Sequence, residues 1–447
     1  MKESSKPAAV AGSRFSPYCG TVRNSTNVTI EEVSVTGTLL IRGARQLLTL
    51  RGPAQPRRGA ALNDLGIIHD GSLLIRDGIV EEVGTTRRVE NLAGARDAME
   101  INAAGQVVMP GFVDSHTHLV FPPPGGADPD EHTAAQVICS STHQRLEARA
   151  RSHLEAMARH GTTTVEAKSG CGVDESAEMK VLRVLSALKR DPLDVVTTFL
   201  LRLPPGRSGE EVRQAAVESV FAELLPKIRR RRLARFADLV WDSDGASSEC
   251  FARYLRRARG LGFACKIHAE QPSLTAAIAM AVEHLVVSID HLEHATAADA
   301  LLLAGSSTMA TLLPGASFHD GGRHAPARAL VDAGAAVALA TNFNPRHTPM
   351  LSMQAVVALA CLRMGLTAAE AISAATINGA HALGCADRVG SLEPGKSADL
   401  LLLHVSDYRE LTRQFGANLV RLTMKRGKLI YRAGEVARRL PRELCPV

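Results

Sequence analysis

Two histidines separated by a single residue, His116 and His118, follow a short apolar stretch at Phe112 to Asp114. A Pro-Gly pair precedes this stretch, which is typical of a chain that turns and re-enters an extended strand. Successive side chains of a strand point to opposite faces, so the two imidazoles are expected to point the same way. Two imidazoles on one face can occupy adjacent positions around a metal ion. The pattern therefore predicts a metal site, with a pair of structural histidines as the alternative.

The elements that must position these histidines alternate between strands and helices along the chain. Such alternation implies parallel strands joined by right-handed crossovers, and eight units of this kind close into a (β/α)8 TIM barrel. A doubly wound open sheet is the alternative, but no glycine-rich phosphate fingerprint follows the first strand. The eight predicted strands are Phe112–Asp114, Thr163–Lys168, Val195–Leu201, Ala237–Asp242, Ala264–His268, Val286–His291, Met309–Leu313 and Val337–Asn342.

The two ends of the chain carry a different pattern. Short apolar runs separated by Gly and Asp-Gly turns predict β-strands on both sides of the barrel, with a loop at Arg51–Leu65 in the first set. A helix is predicted over Thr367–Gly384, because Thr367 and Glu370 form a capping-box pattern at its start. We therefore predict an α/β protein with four parts: a flexible tail at 1–36, part of a β-sandwich at 37–109, the barrel at 110–385 and the rest of the β-sandwich at 386–447.

Active sites of such barrels lie at the C-terminal ends of the strands. A histidine at a strand end is most simply explained as a structural residue when it stands alone. Here most of the strand ends carry groups that bind metals or move protons, and their convergence predicts a metal site. The polar residues at the predicted strand ends are His116, His118, Glu166, Lys168, Arg202, Asp242, His268, Glu270, Asp290, His291 and Asn342.

The composition excludes several classes of function. The net charge of +6 is spread along the chain, and the densest basic cluster, Arg229–Arg232, is interpreted as a solvated helix end rather than a nucleic-acid contact. A single Trp among few aromatic residues offers no platform for stacking bases. No apolar run is long enough to span a membrane, and the eight cysteines lack paired spacing, which predicts reduced thiols in the cytoplasm. The expected partner is a small-molecule substrate, with no nucleic acid and no membrane.

Seven motifs resemble, in order, those of the amidohydrolase superfamily, and in particular its imidazolonepropionase-like members, the ring-opening hydrolases of histidine degradation. The motifs are PGFVDSHTHLVF, EAKSGCG, KIHAEQ, SIDHLEH, TLLPGA, ATNFNP and GSLEPGKSADLLLL. The resemblance implies one divalent metal ion, zinc or iron, with His116, His118 and His268 as ligands and Asn342 at a further ligand position. It also implies hydrolysis of a non-peptide C–N bond in a cyclic amide by metal-activated water.

The same resemblance implies roles for further residues. His291 is expected to orient the water or to stabilise the developing charge. The residues expected to contact the substrate are Lys168, Arg202, Cys171 and Asn344. One metal is favoured over two, because the lysine that bridges two metals in some amidohydrolases lies on another strand. A homodimer is implied by the resemblance alone.

Several positions depart from the family pattern. Asn342 and Gln271 stand where the family has carboxylates, and an amide cannot accept a proton in their place. Cys171 replaces a Tyr, and the loop after His118 lacks the Arg that holds the substrate carboxylate. A diverged substrate pocket is therefore predicted, and the candidate replacement bases are Glu270, Asp290, His294 and His347. The alternatives are a catalytically impaired amidohydrolase-fold binding protein and a ring deaminase.

Overall fold

A computed structural model describes residues 37–122, 131–171, 174–203, 209–241, 248–269 and 275–434. Strands from the two ends of this part of the chain form one mixed sheet, and the strands between them form a barrel. The predicted tail at 1–36 lies outside the described residues. The sheet strands that precede the barrel are β1 (Thr38–Leu48), β2 (Ile67–Arg76), β3 (Ile79–Thr85), β4 (Met99–Asn102) and β5 (Val107–Pro110).

Eight parallel strands form the barrel in the order in which they follow one another along the chain. A parallel bridge between Thr117 and Phe343 joins the segments that follow the first and last strands, where the His118 amide donates to the Phe343 carbonyl at 2.7 Å. The predicted TIM barrel is confirmed. Its strands are β6 (Phe112–Asp114), β7 (Thr162–Lys168), β8 (Asp194–Leu201), β9 (Phe236–Val240), β10 (Ala264–Ala269), β11 (Ser288–His291), β12 (Met309–Leu312) and β13 (Ala336–Leu339).

Alternation along these strands decides what lies inside the barrel. On β7, Val165 and Ala167 pack outward in an apolar cluster, while Glu166 and Lys168 are buried on the other face. On β10, Ile267 belongs to the apolar core against the helices, and its neighbours Lys266 and His268 take the opposite direction. The inner face is therefore polar and charged where the outer face is apolar, as the period of two requires.

Helices cover the outside of the barrel. No helix in the described part of the chain is long and apolar enough to cross a membrane. The helices are α1 (Thr86–Val89), α2 (Glu131–Ser140), α3 (His143–Arg159), α4 (Glu175–Ala187), α5 (Glu210–Ser219), α6 (Leu225–Arg230), α7 (Ser248–Gly260), α8 (Thr275–Glu283), α9 (Ala297–Ala304), α10 (Pro314–Asp320), α11 (Ala327–Ala333), α12 (Met353–Met364), α13 (Ala368–Ala375), α14 (Ile377–Ala382) and α15 (Glu410–Arg413).

Capping residues fix several of these helix starts. The Asp174 side chain accepts from the third residue of α4, and the capping box of Thr367 and Glu370 opens α13 as predicted. The single helix predicted over Thr367–Gly384 is wrong, because the chain breaks at Thr376 into α13 and α14. Thr376 leaves the helical region at φ −128° and ψ −91°, while its hydroxyl donates to the Ile372 carbonyl one turn earlier.

The mixed sheet joins the two ends of the chain directly. Its last strands are β14 (Leu400–Leu403), β15 (Val420–Lys425) and β16 (Lys428–Arg432), and its order is β16-β15-β14-β5-β1-β2-β3 with β4 beside β1. The predicted β-sandwich is therefore one continuous sheet, because β5 pairs parallel with β1 and antiparallel with β14. Leu400 and Leu402 pack in the core of this sheet, whereas Leu401 and Leu403 face the barrel core.

Candidate active site

Three imidazoles meet at the C-terminal end of the barrel. His116 and His118 follow β6, His268 lies near the end of β10, and all three are buried. The ring of His116 lies 5.3 Å from that of His118 and 4.8 Å from that of His268, measured between centroids. One nitrogen of each ring lies within 4.8 Å of the nitrogens of the other two. Such a spacing allows the three nitrogens to share one metal ion.

The hydrogen bond of His116 fixes the direction in which this ring offers its lone pair. Its Nδ1 lies 2.8 Å from Asp290 Oδ2. Burial, together with the positive charge of Lys168, holds the pKa of His116 well below its ordinary value, so the ring is neutral and Nδ1–H donates to the carboxylate. Nε2 is buried and has no hydrogen-bond partner among the described residues. A buried imidazole lone pair of this kind, oriented by a carboxylate on the other nitrogen, fits a metal ligand.

Lys168 lies inside the barrel, among three carboxylates. Its ammonium is 2.5 Å from Asp238 Oδ2, 3.0 Å from Asp290 Oδ2 and 3.3 Å from Glu166 Oε2, and the side chain is fully buried. Burial alone would lower the pKa of Lys168, but Asp238, Asp290 and Glu166 together raise it, so the ammonium stays charged. A second buried lysine, Lys266, lies 2.8 Å from Glu166 Oε2. This network holds the carboxylate of Asp290 against His116.

His291 ends β11 in an unusual backbone conformation. Its φ is 83° and that of Leu292 is 68°, values that L-residues rarely adopt outside functional turns. The Nε2 atom of His291 lies 3.1 Å from His268 Nε2, and its Nδ1 lies 3.3 Å from Glu293 Oε1. The carboxylate of Glu293 therefore orients the ring so that Nε2 faces the three-histidine cluster.

The segment after β13 completes the rim of the site. Asn342 is largely buried and adopts a left-handed conformation, with φ at 54°. Asp114 ties this segment to β6, because it accepts from the Thr341 amide at 3.0 Å and from the Thr341 hydroxyl at 2.6 Å. The side-chain oxygen of Asn344 accepts a hydrogen bond from the backbone amide of Arg346 at 3.0 Å. The carboxyl end of β6 and the asparagines therefore form one rigid unit.

A cavity of about 560 Å³ opens above the histidines. Its wall contains His118, His291 and Asn342, and it also contains two guanidinium groups and further imidazoles from the surrounding loops. A cavity of this size suits a small molecule rather than a polymer. The additional polar residues of the wall are Arg202, Glu293, His294, Ser317, Asp320, Arg323, Asn344, His347 and Thr348.

The loop after β7 is held from beneath by a buried carboxylate. Glu178 accepts from the Gly170 amide at 3.1 Å and also from the Cys171 amide. Gly170 reaches the cavity wall with φ at 113°, a conformation that favours glycine. The side chain of Cys171 points away into an apolar cluster behind the loop. Burial raises the pKa of Glu178 to about 7, against the backbone hydrogen bonds that lower it.

Comparisons with known proteins agree with this geometry. Residues 107–430 match the family model described as Amidohydrolase family. The chain is 36% identical over 424 residues to an imidazolonepropionase of Brevibacillus brevis, which covers 89% of this chain and 99% of that protein. It is 38% identical over 414 residues to an imidazolonepropionase of Parabacteroides distasonis, at 88% and 98% coverage. The chain belongs to the amidohydrolase family.

Solved structures share the fold of this amidohydrolase at lower sequence identity. An adenosine deaminase from Xanthomonas campestris with bound zinc superposes with a TM-score of 0.63 at 20% identity, covering 88% of this chain and 93% of that one. An Escherichia coli guanine deaminase superposes with a TM-score of 0.66 at 18% identity, covering 88% and 99%. Together with the imidazolonepropionase relatives, the family membership identifies a metal-dependent hydrolase of C–N bonds.

The amidohydrolase brings most of the predicted site residues together, but not all of them. His118, His291 and Asn342 line the cavity, as do Arg202 and Asn344. His116 and His268 lie just beneath this wall, in contact with the rings of His118 and His291. Glu270, Gln271 and Asp242 lie outside the described residues.

Two residues that were expected to contact the substrate are placed elsewhere. Lys168 lies inside the barrel because its ammonium is bound by three carboxylates. Cys171 is turned into the apolar cluster behind its loop. Sequence reasoning missed Glu293 and Arg323, which line the cavity. Glu293 stands two residues after His291, but the alternation of side chains ends with the strand at His291.

Proposed function

We propose that this amidohydrolase opens the ring of a small cyclic amide by hydrolysing a non-peptide C–N bond, in the manner of the imidazolonepropionases. The observation that carries the proposal is the convergence of His116, His118 and His268 beneath a small cavity with His291 in its wall. The similarity to imidazolonepropionases along nearly their whole length supports the same reaction class.

The three imidazoles would hold one divalent metal ion, zinc or iron, with the Asn342 amide oxygen as a weaker additional ligand. When bound, such an ion lowers the pKa of water enough to supply hydroxide at neutral pH and polarises a carbonyl oxygen. A second set of possible metal ligands consists of His116 and the carboxylates of Glu166 and Asp290. The Lys168 ammonium lies 3.3 Å from Glu166 and 3.0 Å from Asp290, and it supplies the positive charge there. This arrangement favours one metal over two.

The residues around the metal position would divide the remaining chemistry among them. His291 holds its Nδ1 against the Glu293 carboxylate, which favours the imidazolium form, and in that form Nε2–H would donate a hydrogen bond to the oxygen on which charge develops as the ring carbonyl is attacked. Asn342 can position water or substrate through its amide, but it cannot accept a proton. Gln271 has the same limitation. Among the candidate bases we assign proton transfer to Glu270, because it stands two residues after His268 in the sequence and so shares its strand parity, although it lies beyond the described end of β10.

The cavity wall contains two arginines that can bind a negatively charged arm of the substrate, beside the carboxylates of Glu293, which pairs with His291, and Asp320. Arg202 and Arg323 place two guanidinium groups in the wall of one cavity, and Asn344 adds a polar contact. A guanidinium group binds a carboxylate through two parallel hydrogen bonds. A cyclic amide with a carboxylate arm would therefore bind with its ring toward His291 and its arm toward the arginines. This arrangement replaces the missing arginine in the loop after His118.

The test is turnover of imidazolone propionate and of cyclic amides with and without a carboxylate arm, using zinc-loaded and iron-loaded protein. We expect activity that a chelator abolishes and added metal restores, with a preference for the carboxylate-bearing compounds. His118→Asn should remove both bound metal and turnover, whereas the matched control His69→Asn, at an exposed position on β2, should retain them. Folded, metal-loaded protein that turns over no compound of the panel would favour the catalytically impaired binding protein.

A cytoplasmic location and a homodimer are also part of the proposal. The location is supported by four cysteines of the described chain that remain thiols, Cys139, Cys265, Cys361 and Cys385. Burial raises the pKa of Cys265 to about 12, so this thiol is unreactive. Size-exclusion chromatography with light scattering tests the homodimer, and a monomer at all concentrations would contradict it.

A further inference from the structure

A second cavity, of about 700 Å³, lies at the opposite end of the barrel from the histidines. It surrounds the beginnings of the barrel strands, with Thr164 near the start of β7, Asp194 at the start of β8 and Arg235 just before β9. The segment that follows α14, from Cys385 to Ser397, contributes the remaining wall. The two cavities share no lining residue. Whatever this cavity binds is therefore separate from the C–N hydrolase site.

The positive charge of this cavity is concentrated. Lys189 and Arg190 reach it from the turn after α4. Four arginines come from the end of α6 and the turn before β9, namely Arg229, Arg230, Arg232 and Arg235. Arg388 completes the set, and all seven side chains are exposed to solvent. The lining contains one carboxylate, Asp194, so its net formal charge is positive and equals the net charge of the whole chain, which is +6.

Most of this charge is not neutralised by the protein. Asp194 is already occupied, because it accepts from Lys425 at 2.7 Å and from Arg426. Arg235 donates to the Gly384 carbonyl at 2.7 Å, and Arg388 lies 3.7 Å from the exposed Asp387. Six of the seven cations have no carboxylate partner among the described residues: Lys189, Arg190, Arg229, Arg230, Arg232 and Arg235. Positive charges that are held close together without counter-charges favour the binding of an anion.

The chemistry of the lining points to phosphate groups. Guanidinium groups form paired hydrogen bonds with phosphate oxygens, and the hydroxyls of Thr197, Ser186 and Ser397 add neutral donors. The described lining contains no aromatic side chain, so it offers no surface for stacking the bases of a nucleic acid. We propose that this cavity binds a small polyphosphate-type anion that carries several negative charges.

The position of the cavity gives such binding a structural consequence. Its wall combines residues from the α4–β8 turn and the α6–β9 turn of the barrel with residues from the chain that leads into the mixed sheet. An anion bound there would link these three segments and relieve repulsion between their cations. Because it would bind the folded state in preference to the unfolded chain, it should raise the thermal unfolding midpoint.

Isothermal titration calorimetry with inorganic tripolyphosphate, at about 150 mM sodium chloride, tests the proposal. We expect saturable one-to-one binding and a higher unfolding midpoint than in sodium chloride of equal ionic strength. The double variant Arg230→Glu with Arg232→Glu should weaken binding at least about tenfold. The control, Arg87→Glu with Arg96→Glu, makes the same charge change at exposed positions outside this cavity and should stay within about twofold of the wild type. Circular dichroism and zinc content show whether both variants keep their fold.

ATP and a single-stranded oligonucleotide separate the sources of phosphate. ATP should bind within about threefold of tripolyphosphate, because the lining offers nothing on which its base can stack. Three results would overturn the proposal: no saturable binding of tripolyphosphate, an equal loss of binding in the control pair, or an oligonucleotide that binds more than about tenfold tighter than tripolyphosphate. The last result would identify a nucleic-acid surface instead.

Discussion

The carboxylate of Asp290 connects the imidazole of His116 to the charged interior of the barrel. Oδ2 lies 2.8 Å from His116 Nδ1 and 3.0 Å from the Lys168 ammonium, while Oδ1 accepts from the Ser288 hydroxyl at 2.7 Å. The change Asp290→Asn keeps the shape of this side chain but leaves it only one oxygen. Either Ser288 or the pair of His116 and Lys168 then faces an NH2 group, and the negative charge is lost in both cases.

The size of the effect follows from the charge state. Burial raises the pKa of Asp290, but the charges of Lys168 and Lys266 outweigh this and hold it well below its ordinary value. The carboxylate is therefore ionised at neutral pH, and the substitution removes a full charge from the partner of His116. Loss of such a partner behind a metal-binding histidine weakens metal affinity about 10- to 100-fold. This corresponds to about 1.4 to 2.7 kcal/mol.

The measurement is zinc affinity in competition with a chromophoric chelator, on wild-type protein and on Asp290→Asn. The matched control is Asp332→Asn, which makes the same chemical change at an exposed residue that pairs with Arg328 at 2.7 Å. We expect the control to bind zinc as the wild type does. If Asp290→Asn is folded and binds zinc within about twofold of the control, the carboxylate does not tune His116 and the reasoning fails.

Further predictions concern protons. Burial raises the pKa of Glu178 from 4.5 to about 7, so the folded state holds an extra proton in this range and the free energy of unfolding falls as pH rises from 4.5 to 7. Glu178→Gln should remove about 3 kcal/mol of this decline, measured as the free energy of urea unfolding at pH 4.5 and pH 7. The same fall in that free energy with pH in the variant and the wild type would contradict the prediction. The double variant Asn342→Asp with Gln271→Glu should raise turnover of imidazolone propionate at least about tenfold under excess zinc. If turnover does not change, the loss of these carboxylates does not limit activity, and the substrate pocket is what differs from the family. Glu293→Gln should lower kcat at least about tenfold with little change in KM, and an unaltered kcat would exclude the orienting role.

The alternation of strands and helices was sufficient to predict the barrel, and the period of two was sufficient to predict that His116 and His118 point the same way. The predicted strand at Phe112–Asp114 has the observed bounds, and its alternation brings His116 and His118 to one site. The arrival of His268 beside them follows from the parallel order of the strands, because the C-terminal ends of β6 and β10 lie at one end of the barrel. These are properties of a repeating backbone, so the sequence pattern carries them.

Positions governed by an irregular backbone or by side-chain length could not be predicted in this way. Glu293 faces His291 because two successive residues have positive φ values, and no periodic pattern anticipates that turn. Lys168 lies at a strand end, yet its long side chain reaches the carboxylates inside the barrel instead of the cavity. The short helix α10 that carries Ser317 and Asp320 into the cavity wall has too few turns to show a helical period.

The interior charges bear on how this site keeps its affinity for a cation. Three carboxylates and two ammonium groups form the network behind His116, and their formal charges leave one negative charge in surplus. The neutral amide of Asn342 removes one negative charge from the front of the site, where the family has a carboxylate. Asp290 supplies a negative charge on the other side of His116, because its carboxylate accepts a hydrogen bond from Nδ1 of that imidazole. Because the electrostatic attraction of a cation depends on charge near the ligands as well as on the ligands themselves, this buried surplus compensates in part for the asparagine.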